Sequence, residues 1–150
     1  MKLPKKYLVR HHLDSYSEIE FASYLIKKGF QPFFPFKDIG IDIVAHKKKN
    51  FELYQLKARN ISLRYNQFRF RVKKEDIEKL SKSNNKNTYF IFCAFQENQK
   101  FHFFKVPVSV VKKYLKEAPK DRFFTIKKIN AKYQVYPRRI GIKINKYILR

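Results

Sequence analysis

The sequence predicts an α/β domain, a mixed β-sheet flanked by helices, with extra strands added in its second half. Three observations predict it. A helical stripe that stops at Gly29 is followed by two strand-like runs, IDIVAH and FELYQLKA, close enough to pair as a hairpin. Further on, TYFIFCAF is an unbroken apolar run of strand length, the pattern of a strand covered on both faces. With 150 residues, 44% of them hydrophobic, the chain has the usual size of one domain and can bury roughly 70% of its unfolded surface. No internal repeat or low-complexity linker divides residues 1–150, so a single domain is expected.

Taken in order, Ser15, the run YSEIEFASYLIKK and Gly29 read as a helix with a hydroxyl at its start and a glycine just past its end. Residues 30–36 are aromatic but interrupted by Pro32 and Pro35, which allows at best an edge strand. The IDIVAH and FELYQLKA strands are joined by Lys47-Lys48-Lys49-Asn50, read as a four-residue hairpin loop. Residues 61–73, ISLRYNQFRFRVK, end in alternation, with Phe68, Phe70 and Val72 on one side and Arg69, Arg71 and Lys73 on the other: a strand with a basic face. Residues 75–81 suit a short helix. TYFIFCAF and FHFFKV read as a buried strand and its return partner, and Pro107 opens a helix over VSVVKKYLKE. RFFTIKKI, KYQVY and IGIKINKYI read as further strands.

The balance of 35 Lys and Arg against 12 Asp and Glu gives a formal net charge of +23, spread along the whole chain. A polyanionic partner is expected, and nucleic acid fits best, because neutralised phosphates supply most non-specific affinity. The rival from composition alone is a non-catalytic protein that packs RNA. No window has the apolar length of a membrane span, and MKLPKKYLVRHH lacks a signal-peptide core, so a cytoplasmic location is expected. A lone Cys93 leaves no disulfide within the chain and no cysteine-rich zinc cluster, and reads as a small buried hydrophobe. Aromatic content of 17% is generous for so small a core and suggests that some rings line a subunit interface.

Chemistry points to one place. Residues two apart on a strand share a face, so Gln55 and Lys57 point together, while Asp42 lies on the neighbouring strand of the hairpin. A carboxylate, an amide oxygen and an ammonium would converge there. Oxygen ligands hold Mg²⁺, with Mn²⁺ as a substitute, and a nearby lysine stabilises a hydroxide nucleophile or the charge building on phosphorus. Gln55 brings no charge and should bind metal more weakly than a glutamate. Glu18 shares a helical stripe with Phe21, Ala22 and Leu25, which makes it a candidate third ligand, yet Ser15-x-x-Glu18 equally matches a capping box. Glu20 falls on the opposite, solvated face.

Asp42 in GIDIVA, a basic turn and then Gln55-Leu56-Lys57 in LYQLKAR resemble the signature of the PD-(D/E)XK, restriction-endonuclease-like nucleases. The glutamine variant is similar to that of Mrr-type restriction enzymes. The overlap covers residues 18–59, with Glu18 matching an acid that many members carry on the preceding helix; residues 60–150 show no match. Ile41 stands where the family name has proline, and Gln55 replaces the commoner acid. Gln55-x-Lys57 is the sole Glu/Gln-x-Lys tripeptide in the chain, and its setting on a strand after an acidic partner lifts it above coincidence. A very basic chain of this length looks most like the homing endonucleases of this fold encoded in cyanobacterial introns. That resemblance implies a homotetramer cutting a long pseudo-palindromic DNA site, and catalytic roles for Asp42, Gln55, Lys57 and Glu18.

Arg59, Arg64, Arg69, Arg71 and Lys73 follow the proposed active strand and would lay a cationic track beside it. A β-ribbon can enter the major groove, where arginine reads guanine and Asn66 and Gln67 would read adenine. Backbone contact alone is an equal reading of the same residues. Arg138 and Arg139 would extend the footprint. His11, His12, His46 and His102 carry no pattern that implies chemistry. One centre per chain implies at least a dimer for cutting both strands. A restriction enzyme or a Holliday-junction resolvase would use the same centre, and a non-catalytic nucleic-acid-binding protein is the rival of another class.

Overall fold

The computed structural model describes residues 10–37, 40–62, 64–83, 86–96, 100–117, 123–136 and 142–150. The first helix, α1, spans Arg10–Lys27 and so begins five residues before Ser15. The reason is a stripe at spacing four: Leu13, Ser17, Phe21 and Leu25 are all buried, and packing of such a stripe outweighs a local capping preference. Ser15 is exposed inside the helix and caps nothing. The other end is as read. Gly29 has φ +80°, its N–H bonds Ile26 O at 2.9 Å and the Phe30 N–H bonds Leu25 O at 2.9 Å, the crossed pair of bonds that a left-handed glycine makes possible.

After α1 come β1 (Gln31–Phe33), β2 (Ile43–Lys47), β3 (Asn50–Asn60), β4 (Gln67–Arg71), α2 (Lys74–Ser81), β5 (Thr88–Phe95), β6 (Phe101–Pro107), α3 (Val108–Glu117), β7 (Phe123–Ile129) and β8 (Lys132–Tyr136). Five strands form a mixed sheet in the order β1-β2-β3-β5-β6. β3 and β5 are parallel and every other pair in it is antiparallel. β1 is the edge strand its prolines allow. The hairpin is tighter than expected, because pairing runs on to Lys47 and Asn50 and leaves Lys48-Lys49 as the turn, with Lys48 at φ 57°.

The extra strands do not extend this sheet. β4, β7 and β8 form a separate antiparallel sheet, which packs with α2 and α3 over one face of the larger one, while α1 covers the other. Alternation along β5 divides its side chains between the two cores: Phe90, Phe92 and Ala94 enter the first, Ile91, Cys93 and Phe95 the second. Cys93 is fully buried, as expected, and burial pushes its thiol pKa well up. The basic strand is shorter than residues 61–73, since a turn closed by Ser62 N–H to Gln67 O, at 2.9 Å, precedes β4. Of IGIKINKYI, residues 140 and 141 lie outside the described residues, and the part read as a strand holds a short 3-10 helix, Ile144–Tyr147. Its Asn145 amide takes the place of a paired strand, accepting the Tyr133 N–H at 3.2 Å and donating to Tyr133 O at 2.7 Å. Arg138 and Arg139 lie outside the described residues. Among those residues no helix is long and apolar enough to cross a membrane.

Phe92 joins the two sheets, its ring stacked 4.5 Å from Phe124 and tilted 4.9 Å from Phe70. Phe92→Ala should cost about 3–5 kcal/mol and lower the midpoint of thermal unfolding by roughly 6–20 °C. Phe36→Ala, at a fully exposed ring, should stay within about 0.5 kcal/mol. Equal effects in the two variants would contradict this account of the core.

Candidate active site

The register that pairs Ile43 with Tyr54 puts Asp42 opposite Gln55. Beyond Tyr54 the two strands part, and β3 runs on to Asn60 with its outer edge uncovered by β2. Asp42 fills the first step of that gap. Its N–H donates to Tyr54 O at 2.9 Å, and its Oδ2 accepts the Leu56 N–H at 2.6 Å. The carboxylate is thereby held at the notch where the hairpin opens, half-buried and next to the Gln55–Lys57 face.

Gln55 is 7% exposed and its Oε1 has no hydrogen-bond partner. An unpaired buried oxygen costs on the order of 1–3 kcal/mol, so a group that satisfies it is expected. Lys57, two residues on, does have a partner: its Nζ lies 2.8 Å from Asp76 Oδ2. Asp76 sits in the first turn of α2 and also accepts the Lys73 N–H at 3.3 Å, which fixes the lysine against the helix start.

Glu18 reaches the same cleft from α1. With Ser15 inside the helix, the capping-box reading falls away. Burial first, then the neighbouring Asp42 and Asp14, raise the Glu18 pKa above the usual carboxylate range. A cleft of about 320 Å³ holds Glu18, Asp42, Gln55 and Lys57 together, with Asp14 and Ser17 from α1 alongside. Asp14, Ser17 and Asp76 carry no signal in the sequence: each looks like an ordinary polar helix residue until the fold brings the first two to the cleft and the third to Lys57.

Among the described residues no three His, Cys, Asp or Glu side chains are gathered for a metal ion. The oxygen set here is two carboxylates and an amide. The partnerless Gln55 Oε1 in the same cleft, and the burial and neighbouring acids that raise Glu18, fit a hard divalent cation, which takes oxygen ligands and lowers the repulsion of the acids. The donor set is one charge weaker than three carboxylates.

Of the residues read as nucleic-acid contacts, Arg59, Arg71 and Lys73 line the cleft. Arg64 and Arg69 do not; their guanidinium groups lie over Tyr65 and Phe123, at 5.1 and 4.3 Å from the ring centroids. Asn66 is a turn residue at φ 49° whose Nδ2 donates one hydrogen bond to Lys128 O at 2.8 Å, which leaves its second N–H and its Oδ1 for other partners. Gln67 opens β4 opposite Lys127. His12, His46 and His102 are not among the cleft residues.

The raised Glu18 pKa has a sign that can be measured. The fold favours protonated Glu18, so its stabilising effect is full below the unfolded pKa and lost as pH rises through the folded one. Glu18→Gln, always neutral, should therefore melt higher than the parent at neutral pH without divalent cations, and the gain should shrink as pH falls through the carboxylate range. A gain that is flat with pH would contradict the burial and the neighbouring acids that raise Glu18.

No protein-family model and no curated protein matches the chain. Among solved structures, the chain is similar to Hjc, a Holliday junction resolvase from Archaeoglobus fulgidus. The two are 18% identical with a TM-score of 0.47, over 64% of this chain and 73% of that one. At that distance the likeness transfers no activity to this chain.

Proposed function

We propose that the chain is a Mg²⁺-dependent endodeoxyribonuclease that hydrolyses phosphodiester bonds of double-stranded DNA, a PD-(D/E)XK-type nuclease. The observation that carries the reading is the buried, partnerless Oε1 of Gln55 in a cleft that it shares with Glu18, Asp42 and Lys57. Glu18, Asp42 and Gln55 would hold Mg²⁺ or Mn²⁺, which when bound supplies positive charge at the phosphoryl oxygens and acidifies a water. Lys57 is held in place by its ion pair with Asp76, and its part is electrostatic: the ammonium would face the charge that builds on phosphorus. Arg59, Arg71 and Lys73 hold the neighbouring phosphates, and the net charge of +23 draws DNA to them. Within this reading a homing endonuclease with a long pseudo-palindromic target, working as a dimer or tetramer, is the finer proposal.

Cleavage of a mixed pool of long duplexes in Mg²⁺ tests it, with binding checked in parallel. Asp42→Ala and Lys57→Ala should each lose at least about 100-fold in rate while still binding DNA. Gln55→Glu should lower the Mg²⁺ concentration needed for half-maximal cutting, because it adds a charge to the ligand set. Few discrete cuts at long sites mark the homing enzyme, whereas cutting confined to four-way junctions marks a resolvase. Binding with no cutting of duplex or junction, in either metal, would leave a non-catalytic DNA-binding protein.

A further inference from the structure

The cleft is not closed at its far side. A groove of about 1480 Å³ shares Asp42, Gln55, Lys57, Arg71 and Lys73 with it and continues between α2 and α3. Its walls carry Lys74, Lys79 and Lys82 from α2 and its end, and Lys112 and Lys116 from α3. Three acids, Glu75, Asp76 and Glu78, also line it, but two are engaged. Asp76 holds Lys57, and Glu78 lies 3.9 Å from Lys74. Lys112 and Lys116 are one turn apart, so they share a helix face and repel. The acid of α3, Glu117, instead faces Lys113, at 3.7 Å.

Lys79 is placed by the backbone opposite. Gly40 has φ +76°, and a Cβ built there would come 2.7 Å from Lys79 Cδ. The lysine shaft thus lies against Gly40, in the segment that leads into Asp42, and Lys79 is one of the residues that line the groove. A row of like charges on two facing helices, opening from a metal-ligand cleft, has one evident complement: a chain of phosphates.

We propose that the groove between α2 and α3 seats the phosphate backbone of the DNA strand that passes Lys57, so that Lys79, Lys82, Lys112 and Lys116 bind phosphates beyond the one that is cut. The proposal rests on the nuclease reading only for the word cut; the binding is tested apart from it. No residue of this lysine row was marked by the sequence, because 26 lysines spread over the chain hide any one row.

The experiment compares two triple variants for duplex DNA binding across salt concentrations, with chelator present so that nothing is cleaved. One is Lys79→Gln, Lys82→Gln, Lys112→Gln. The other removes the same charge from Lys27, Lys48 and Lys49, which line neither cavity. The groove variant should flatten the dependence of log affinity on log salt by about 2.7, at about 0.9 for each phosphate released, and the control by less than about 1. Lys112→Gln alone should account for about 0.9 of it. Equal flattening in the two triples would overturn the groove and leave net charge as the whole effect. Flattening with duplex RNA but not duplex DNA would overturn the assignment to DNA. If the groove result holds while the parent protein cuts nothing in Mg²⁺, the groove stands and the nuclease reading falls.

Discussion

The Leu56 N–H has no strand to bond, because β2 leaves β3 at Tyr54, and the carboxylate of Asp42 accepts it at 2.6 Å. That bond does two things. It satisfies a backbone donor that would otherwise face the cleft unpaired, and it pins an acid at the point where the sheet opens. β3 itself must serve two environments. Tyr54, Leu56 and Ala58 are buried under α1, which leaves Gln55 and Lys57, one residue out of phase, on the opposite side. A slip of one residue in the hairpin would reverse both sets, so the register that makes the core also makes the cleft.

Electrostatics separate the cleft from the rest of the surface. Even in a chain of net charge +23, acids held close together repel one another unless a cation lies beside them. Asp76 is compensated by Lys57, and on the far face of the sheet Glu52 is compensated by Lys105, at 2.5 Å. Glu18 is not compensated in this way: burial, Asp42 and Asp14 together raise its pKa. The neutral Gln55 fits that balance, since a third carboxylate would add repulsion to a site already crowded. The cost is weaker attraction for a cation, and arginines and lysines around the cleft do not help there.

Much of this was legible in the residues. The period-two alternation of residues 67–73 and the apolar run of β5 are strong local signals, and Asp42, Gln55 and Lys57 follow from strand geometry alone. Other features are set by distant packing. Nothing local says that α1 begins at Arg10, because the reason is a fit of Leu13 against the sheet. Nor does IGIKINKYI announce that one asparagine will pair with Tyr133 in place of a strand. The separation of β4, β7 and β8 into their own sheet is a matter of how Phe70, Phe92 and Phe124 stack, and aromatic residues in a strand do not reveal which sheet they join.

Asp76 shows why the missing part of the site was hard to see and why it matters. In KKEDIEK it reads as a first-turn acid, favoured there by the helix dipole whatever its partner. In the fold it joins Lys57 of β3 to the start of α2, and the groove of lysines begins on that same helix. An ammonium tied to a carboxylate presents less net charge to solvent, so it does not trap stray anions as a bare lysine would. Its geometry, however, is kept, because Asp76 is itself anchored by the Lys73 N–H. On the proposed reading, a phosphate held by α2 and α3 meets a lysine already oriented by α2, and binding energy gained along the groove acts through the same helix on the reacting end of the site.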